Sequence, residues 1–163
     1  MSLFPPTLIL RHRKENLKKC TLHGLENRAD FRFYTYPIAE LPDLTQYLVL
    51  TMDGPPLQRE DAQHGLFLLD GTWRYASKMM SVHFAEKTVH TRSIPLGFQT
   101  AYPRVQNDCS DPLRGLASIE ALYIAYFILG RNTDGLLDRY HWKEPFLKKN
   151  TYHLSKITSN LSA

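Results

Sequence analysis

The stretch Leu66-Phe67-Leu68-Leu69-Asp70-Gly71-Thr72-Trp73 decides the fold class of this chain. Its first four residues form a short apolar run, which is typical of a strand buried in a parallel sheet. The run ends in an acid, a glycine, a hydroxyl and an indole, and ligands of open α/β sheets bind just past such strand ends. The pattern therefore predicts a site around Asp70, Thr72 and Trp73. A structural alternative stays open, in which Asp70 caps the following helix and Trp73 packs in the core.

Apolar runs of the same character flank this stretch. The sequence predicts a short helix at 57–62, and it predicts strands at 7–10, 31–34, 47–51, 66–70 and 93–96. Strand, helix and strand in succession, with nearly continuous apolar strands, indicate a parallel sheet. We therefore expect an α/β fold in which residues 1–97 form the sheet domain.

The second part of the chain is predicted to be helical. Apolar residues recur at close to a 3.6-residue period in Ser118–Leu129, and Gly130 follows as a C-cap. Further helices are expected at 133–140 and 142–150, with a polar tail that frays from 151. Residues 98–163 should form a mainly helical domain that packs as one unit with the first. The irregular segment 100–115 is long for a loop, which favours a role in function.

The composition is that of a soluble globular protein. The chain has 163 residues, of which 43% are hydrophobic and 22% charged. No apolar run approaches the roughly 20 residues of a membrane span, and the start lacks the features of a signal peptide. The cysteines, Cys20 and Cys109, and the seven histidines match no disulfide framework and no metal-binding spacing. We expect a cytoplasmic protein with reduced thiols, no metal and no membrane partner.

Positive charge is concentrated near both ends of the chain, which has a net charge of +4. One cluster contains Arg11, Arg13, Lys14, Lys18 and Lys19, and the other contains Lys143, Lys148, Lys149 and Lys156. Such clusters neutralise phosphates when they face nucleic acid, and otherwise they form solvated surfaces. The two together make RNA a candidate partner, with contacts from Arg11, Arg13, Lys18 and Lys19. A thiol in such a basic segment, as at Cys20, is expected to have a lowered pKa.

Five segments in order resemble the TDD superfamily, which is named for the rRNA aminocarboxypropyltransferases and the DTW-domain proteins. Lys18-Lys19-Cys20-Thr21 resembles K-K-C-S/T, and residues 47–62 resemble a strand, a proline-containing turn and an S-P-x-D helix start. Asp70-Gly71-Thr72-Trp73 resembles D-C-S-W of the rRNA enzymes and D-G-T-W of the DTW proteins. Residues 116–121 resemble L-S-x-x-E-A, and residues 140–150 resemble F-x-W-G followed by F-L-x-x-N.

The resemblance implies a fold, a cofactor and a reaction. The fold has a parallel sheet and a helical C-terminal half threaded into a SPOUT-like trefoil knot. The cofactor is S-adenosylmethionine, whose 3-amino-3-carboxypropyl group is transferred to N3 of a uridine or pseudouridine in RNA. The rRNA enzymes imply small-subunit rRNA as the substrate, and the DTW proteins imply tRNA. We expect the protein to act as a monomer.

The resemblance also implies roles for particular residues at the cofactor. Thr21 and Thr72 should lie at the cofactor, and the backbone around Leu69, Leu96 and Leu116 should line the adenine and the ribose. The first serine of the family's L-S-x-x-E-A motif is Ala117 in this chain, so one polar contact to the cofactor is expected either to be lost or to pass to Ser118.

Asp70 and Trp73 are the residues that favour an enzyme, because RNA binding alone needs neither. Asp70 is the candidate general base or orienter for the uracil N3 proton. Trp73 offers an electron-rich face to the sulfonium charge. Glu120 remains open between a catalytic role and a structural role at a helix N-terminus. Two alternatives also remain, a SPOUT-like RNA methyltransferase and a non-catalytic RNA-binding protein of ribosome assembly.

Overall fold

A computed structural model of the protein describes residues 4–18, 20–84, 89–103 and 115–161, with the backbone alone at Trp73. The strands are Thr7–His12 (β1), Phe31–Tyr36 (β2), Tyr47–Leu50 (β3), Gly65–Asp70 (β4) and Thr91–Arg92 (β5). The helices are Trp73–Phe84 (α1), Ser118–Leu129 (α2) and Lys143–Leu161 (α3). None of these helices is both long enough and apolar enough to cross a membrane.

The five strands form a parallel sheet in the order β2-β1-β4-β3-β5. The predicted α/β fold with a parallel sheet is therefore confirmed. β1 and β4 lie next to each other inside the sheet, which explains why both are almost continuously apolar. A strand that is covered on both faces needs apolar residues at successive positions, and β4 shows this at Leu66 and Phe67, which are both fully buried.

The two faces of the sheet bury different helices. On one face, Phe67 packs with Leu10 of β1 and with Met79 of α1. On the other face, Leu66 belongs to a larger core that contains residues of α2 and α3. A hydrogen bond of 2.6 Å between Thr7 Oγ1 and the Tyr126 hydroxyl ties β1 to α2. This larger core contains residues from both sides of the predicted domain boundary between residues 97 and 98. The boundary itself stays a prediction.

Ser118–Leu129 is helical as predicted, and Gly130 ends it at a φ of +70°. The helix predicted at 133–140 is wrong, because the segment forms turns in which Gly135 has a φ of +81°. The predicted helix at 57–62 shortens to a 3₁₀ turn at Arg59–Asp61.

The C-terminal helix is longer than predicted. α3 extends through Leu161, so the fraying expected from residue 151 is wrong. Leu154 is buried and Ile157 packs against the same core, so the second half of α3 presents an apolar stripe to the protein. Tertiary packing of that stripe stabilises a segment that is otherwise polar.

The fifth strand lies two residues earlier than predicted. β5 covers Thr91–Arg92, and only a single bridge between Pro56 and Ser93 continues it into the predicted span 93–96. Pro95 has no N–H to donate to a ladder, which ends the pairing there. The role expected for segment 100–115 falls largely on residues 104–114, which lie outside the described part of the chain.

Candidate active site

A cleft of about 480 Å³ opens at the carboxyl ends of β3, β4 and β5. Its walls come from these strand ends, from α1 and from the start of α2. Four residues predicted to contact the cofactor line it, namely Leu69, Leu96, Leu116 and Ser118. These four come from three separate stretches of the chain, which meet where the carboxyl ends of the parallel strands share one edge. The volume is in the range of small-molecule sites.

Among the described residues that line this cleft, only Asp53 has a charged side chain. It lies shortly after the end of β3, whereas Asp70 is the last residue of β4. The turn that carries it is fastened to β5, because Thr51 N–H donates to the Arg92 carbonyl at 2.8 Å and Ser93 Oγ donates to the Gly54 carbonyl at 2.7 Å. A Cβ at Gly54 would lie 2.9 Å from the Arg92 nitrogen, so this close approach requires glycine. The sequence analysis missed Asp53, although its signal, an acid shortly after an apolar run, was the same.

Asp70 is buried at the end of β4, with 3% of its surface exposed. Its Oδ2 accepts hydrogen bonds from Arg11 Nε at 3.0 Å and from the Cys20 thiol at 3.2 Å, and its Oδ1 accepts one from Ser118 Oγ at 3.2 Å. These donors come from β1, from residue 20 and from the start of α2. Within the described part of the chain, the carboxylate therefore joins three segments and caps no helix. Ser118 links it to the cleft wall.

Arg11 lies inside the protein, in contrast to its predicted place in a basic surface. Its side chain is 12% exposed, it pairs with Glu26 at 3.0 Å as well as with Asp70, and it stacks on the Phe33 ring at 4.6 Å. Burial disfavours the charged guanidinium, but the hydrogen bonds to Asp70 and Glu26 are among the interactions that outweigh it and raise the pKa of Arg11. Arg13 and Lys18 are exposed as expected. Lys19 lies outside the described residues.

The cysteine of the K-K-C-T segment is a protonated hydrogen-bond donor. Burial and the neighbouring Asp70 carboxylate raise the pKa of the Cys20 thiol from 9.0 to about 12. The lowered pKa expected from the basic segment is therefore wrong, because the thiol is buried beside a carboxylate and both disfavour the thiolate.

Glu15, Cys20 and Asp70 bring their ligand atoms within 4.8 Å of one another. Burial and Asp70 raise the pKa of Glu15. The Arg11 guanidinium donates to both Asp70 and Cys20, so a cation of the protein already occupies this acidic cluster. We assign no metal to it.

Thr21 supports the start of α2. Its Oγ accepts a hydrogen bond from the Ile119 N–H at 3.2 Å, which leaves the hydroxyl proton free to be donated elsewhere. Thr21 lines a separate cavity of about 230 Å³ with Arg139 and Tyr140, and it is not among the residues that line the larger cleft. The structure therefore places Thr21 at the start of α2, bonded to the residue that follows the cleft-lining Ser118.

Thr72 and Trp73 begin α1. The Thr72 carbonyl accepts the Ala76 N–H at 2.8 Å, and the Thr72 side chain is exposed. The neighbours Gly71 and Ala76 line the cleft. The backbone of Trp73 therefore lies at the cleft edge, and the direction of its indole falls outside what the structure describes.

Glu120 is structural in this geometry. Its carboxylate is fully buried and accepts four hydrogen bonds, from the Ala117 and Ala101 N–H groups and from the Thr100 and Tyr140 hydroxyls, at 2.7–2.9 Å. It thereby joins the start of α2 to the segment after β5 and to the turns before α3. The open alternative at this residue is settled in favour of a structural role by those four partners.

No protein-family model matches the chain, and no curated protein does. Among solved structures, the chain is similar to one described as the SAM-dependent rRNA:acp-transferase Tsr3 from Vulcanisaeta distributa. The two chains are 21% identical, the match covers 96% of this chain and 84% of that one, and the TM-score is 0.71. This chain therefore has the fold of that structure along nearly its whole length.

Proposed function

We propose that the protein is an S-adenosylmethionine-dependent transferase that moves the 3-amino-3-carboxypropyl group to RNA. The observation that carries the proposal is the cleft that gathers Leu69, Leu96, Leu116 and Ser118 beside the buried carboxylate of Asp70. The similarity to the fold of a SAM-dependent rRNA:acp-transferase supports it.

The lining of the cleft suits the donor substrate. Leu69, Leu96 and Leu116 offer apolar contacts to an adenine ring. Asp53 offers two oxygens that can accept hydrogen bonds from the ribose hydroxyls, as acids at neighbouring strand ends do in dinucleotide-binding folds. The positive end of α2, where Ser118 lines the cleft and Thr21 accepts the Ile119 N–H, suits the carboxylate of the methionine moiety. The donor supplies a carbon activated by an adjacent sulfonium.

In this proposal, Asp70 handles the proton of the acceptor nitrogen. Its Oδ2 carries two donors and its Oδ1 carries one, so Oδ1 retains the greater capacity to accept. In the proposed step, Asp70 accepts or orients the N3 proton of uracil while the new N–C bond forms, the C–S bond breaks and methylthioadenosine leaves. The reaction goes to the γ-carbon, and not to the methyl group, because of how the two substrates are held.

Trp73 is the residue that we propose to contact the sulfonium of S-adenosylmethionine. Its backbone lies next to the cleft-lining Gly71, and an indole close to a sulfonium stabilises the positive charge. Trp73→Ala should weaken S-adenosylmethionine binding by more than about tenfold, which calorimetric titration measures directly.

The proposal also extends to the acceptor nucleotide, the chain topology, the oligomeric state and the cellular location. The acceptor is N3 of a uridine or pseudouridine, in small-subunit rRNA or in tRNA, and exposed Arg13 and Lys18 contact its phosphates. The SPOUT-like knot, a monomeric state and a cytoplasmic location belong to the same proposal and rest on the resemblance and the composition.

Two measurements test the proposal. Calorimetric titration should show binding of S-adenosylmethionine, and an absence of binding at millimolar ligand would remove the enzyme. Mass spectrometry of rRNA and tRNA nucleosides, with and without the gene, should show an aminocarboxypropyl uridine or pseudouridine that depends on the gene. Methylthioadenosine as the product supports the proposal, whereas adenosylhomocysteine indicates a methyltransferase on the same fold.

A further inference from the structure

An exposed aromatic side chain stands among lysines on the outer face of α3. Tyr152 is 62% exposed, which is unusual for so large an apolar ring. Lys148, Lys149 and Lys156 lie three or four positions from it in the same helix, so all three reach the same surface. The Lys156 ammonium lies 4.6 Å from the centre of the Tyr152 ring. We call these four residues the lysine–tyrosine patch.

The patch has no acid of its own helix to neutralise it. α3 contains no Asp or Glu after Glu144, so its second to fifth turns carry only positive charge. Within the described part of the chain, no ion pair is formed by Lys148, Lys149 or Lys156, although Lys149 donates to the Thr100 carbonyl at 3.2 Å. A concentration of unpaired cations around an exposed ring is the arrangement that binds a polyanion with flat bases.

The helix that carries the patch packs against the rim of the cleft, and Lys149 of the patch bonds the Thr100 carbonyl, two residues after the cleft-lining Phe98. His153, the next residue after Tyr152, packs against Phe98 at 5.5 Å between ring centres, and Phe98 lines the cleft. A Cβ at Gly97, another lining residue, would meet the His153 ring at 2.5 Å, so the cleft rim and α3 are in close contact. Asn150 fixes the same segment by bonding both the nitrogen and the carbonyl of Gln99.

We propose that the lysine–tyrosine patch binds single-stranded RNA, with one base stacked on Tyr152 and the flanking phosphates on the lysines, next to the nucleotide that enters the cleft. The inference rests on the proposed function, since it takes RNA as the acceptor. It adds that the acceptor is held as an unpaired strand, because the ring can stack only on a base that is free of a duplex.

Fluorescence anisotropy with a single-stranded oligouridine of about 12 nucleotides, and with its oligoadenine duplex, tests the patch. Tyr152→Ala should lower affinity for the single strand by about tenfold, while Tyr152→Phe retains it. The double variant Lys148→Gln/Lys156→Gln should instead reduce the slope of log affinity against log salt by about 1.4. Ser155→Ala, on the same exposed face, is the matched control for α3.

The proposal is overturned if Tyr152→Ala binds as wild type does, or if wild type binds the duplex as tightly as the single strand. A loss shared equally by Tyr152→Phe also overturns it, because the ring is kept there. Titration with S-adenosylmethionine tests the transferase separately, since no residue of the patch lines the cleft. Circular dichroism of each variant confirms that α3 is intact.

Discussion

Arg11 and Asp70 are direct neighbours across β1 and β4, and the Arg11 Nε donates to Asp70 Oδ2 at 3.0 Å. The pair is nearly buried, with side-chain exposures of 12% and 4%. Two charges that come from strands 59 positions apart thus meet at the edge where the cleft opens. The sequence clusters Arg11 with surface cations, but the fold pairs it with the candidate catalytic carboxylate.

Arg11 and Arg13 should therefore respond differently to the same substitution. Arg11→Met leaves a buried carboxylate without its cation and should lower the free energy of unfolding by about 3 kcal/mol. Arg13→Met, in the exposed turn after β1, should change stability little and should reduce the salt dependence of RNA binding. Urea unfolding and RNA titration at several salt concentrations measure the two effects. Equal stabilities of the two variants would contradict the structural role of Arg11.

Asp70→Asn separates positioning from proton transfer. The fold should survive because Arg11 keeps Glu26 at 3.0 Å, and binding of S-adenosylmethionine should persist. Transfer to RNA should fall by about 10²–10⁴-fold if the carboxylate handles the N3 proton. Single-turnover assays on RNA, read by nucleoside mass spectrometry, give the rate. Near-normal turnover would make Asp70 architectural.

Asp53→Asn tests how the ribose is held. If the Asp53 carboxylate accepts hydrogen bonds from the ribose hydroxyls, the wild type should bind adenosine more tightly than 2′,3′-dideoxyadenosine. Asp53→Asn should reduce that preference by about tenfold. Asp43→Asn removes an exposed acid that bonds Thr45 in a different loop and is the matched control. Calorimetry with the two nucleosides decides the point, and an unchanged preference would place the ribose elsewhere.

Glu120→Gln should destabilise the protein without touching the cleft lining. Each carboxylate oxygen of Glu120 accepts two hydrogen bonds. In glutamine, an amide nitrogen replaces one of these oxygens, and it cannot accept hydrogen bonds from the two N–H or O–H donors that it would face. The cost should be about 3 kcal/mol in the free energy of unfolding. Glu144→Gln, on an exposed turn of α3, should change it little. If both variants unfold at the same urea concentration, the four hydrogen bonds contribute nothing net.

Cys20 should be inert toward alkylating reagents in the folded protein. A thiol pKa raised from 9.0 to about 12 lowers the thiolate fraction at pH 8 by about a thousandfold. Iodoacetamide at pH 8, followed by peptide mass spectrometry, should leave the Cys20 peptide unmodified until urea is added. Rapid alkylation under native conditions would mean that the thiol is ionised.

The elements that sequence reasoning predicted are those with a local signal. β4 is marked by a continuous apolar run and α2 by a helical period, and Asp70 is predicted as a site residue because it ends a buried strand. Residues 146–157 also carry a helical period, through Phe146, Asn150, Leu154 and Ile157, which could have predicted the full length of α3. The helix predicted at 133–140 fails at Gly135, which has a positive φ, and the glycine within the segment was the available warning in the sequence.

The contacts that sequence reasoning missed are tertiary. The partners of Asp70 lie in three segments far apart along the chain, and no local pattern joins Arg11 or Ser118 to it. The basic cluster also led to the wrong expectation for the pKa of Cys20, because Arg13 and Lys18 are exposed whereas Cys20 is buried. Burial raises the pKa of the Cys20 thiol, whereas the number of nearby cations in the sequence predicted a lowered pKa.

The strand order has a consequence for how the molecule is assembled. β3 precedes β4 along the chain, yet in the sheet β4 separates it from β1. A chain growing from its amino end can join β1 to β2 early, but β3 has no neighbour to add to until β4 has been made. The late strand brings Asp70 to Arg11 by closing a long loop, which is slow compared with local pairing. The buried Arg11–Asp70 pair thus forms in the same event that completes the middle of the sheet.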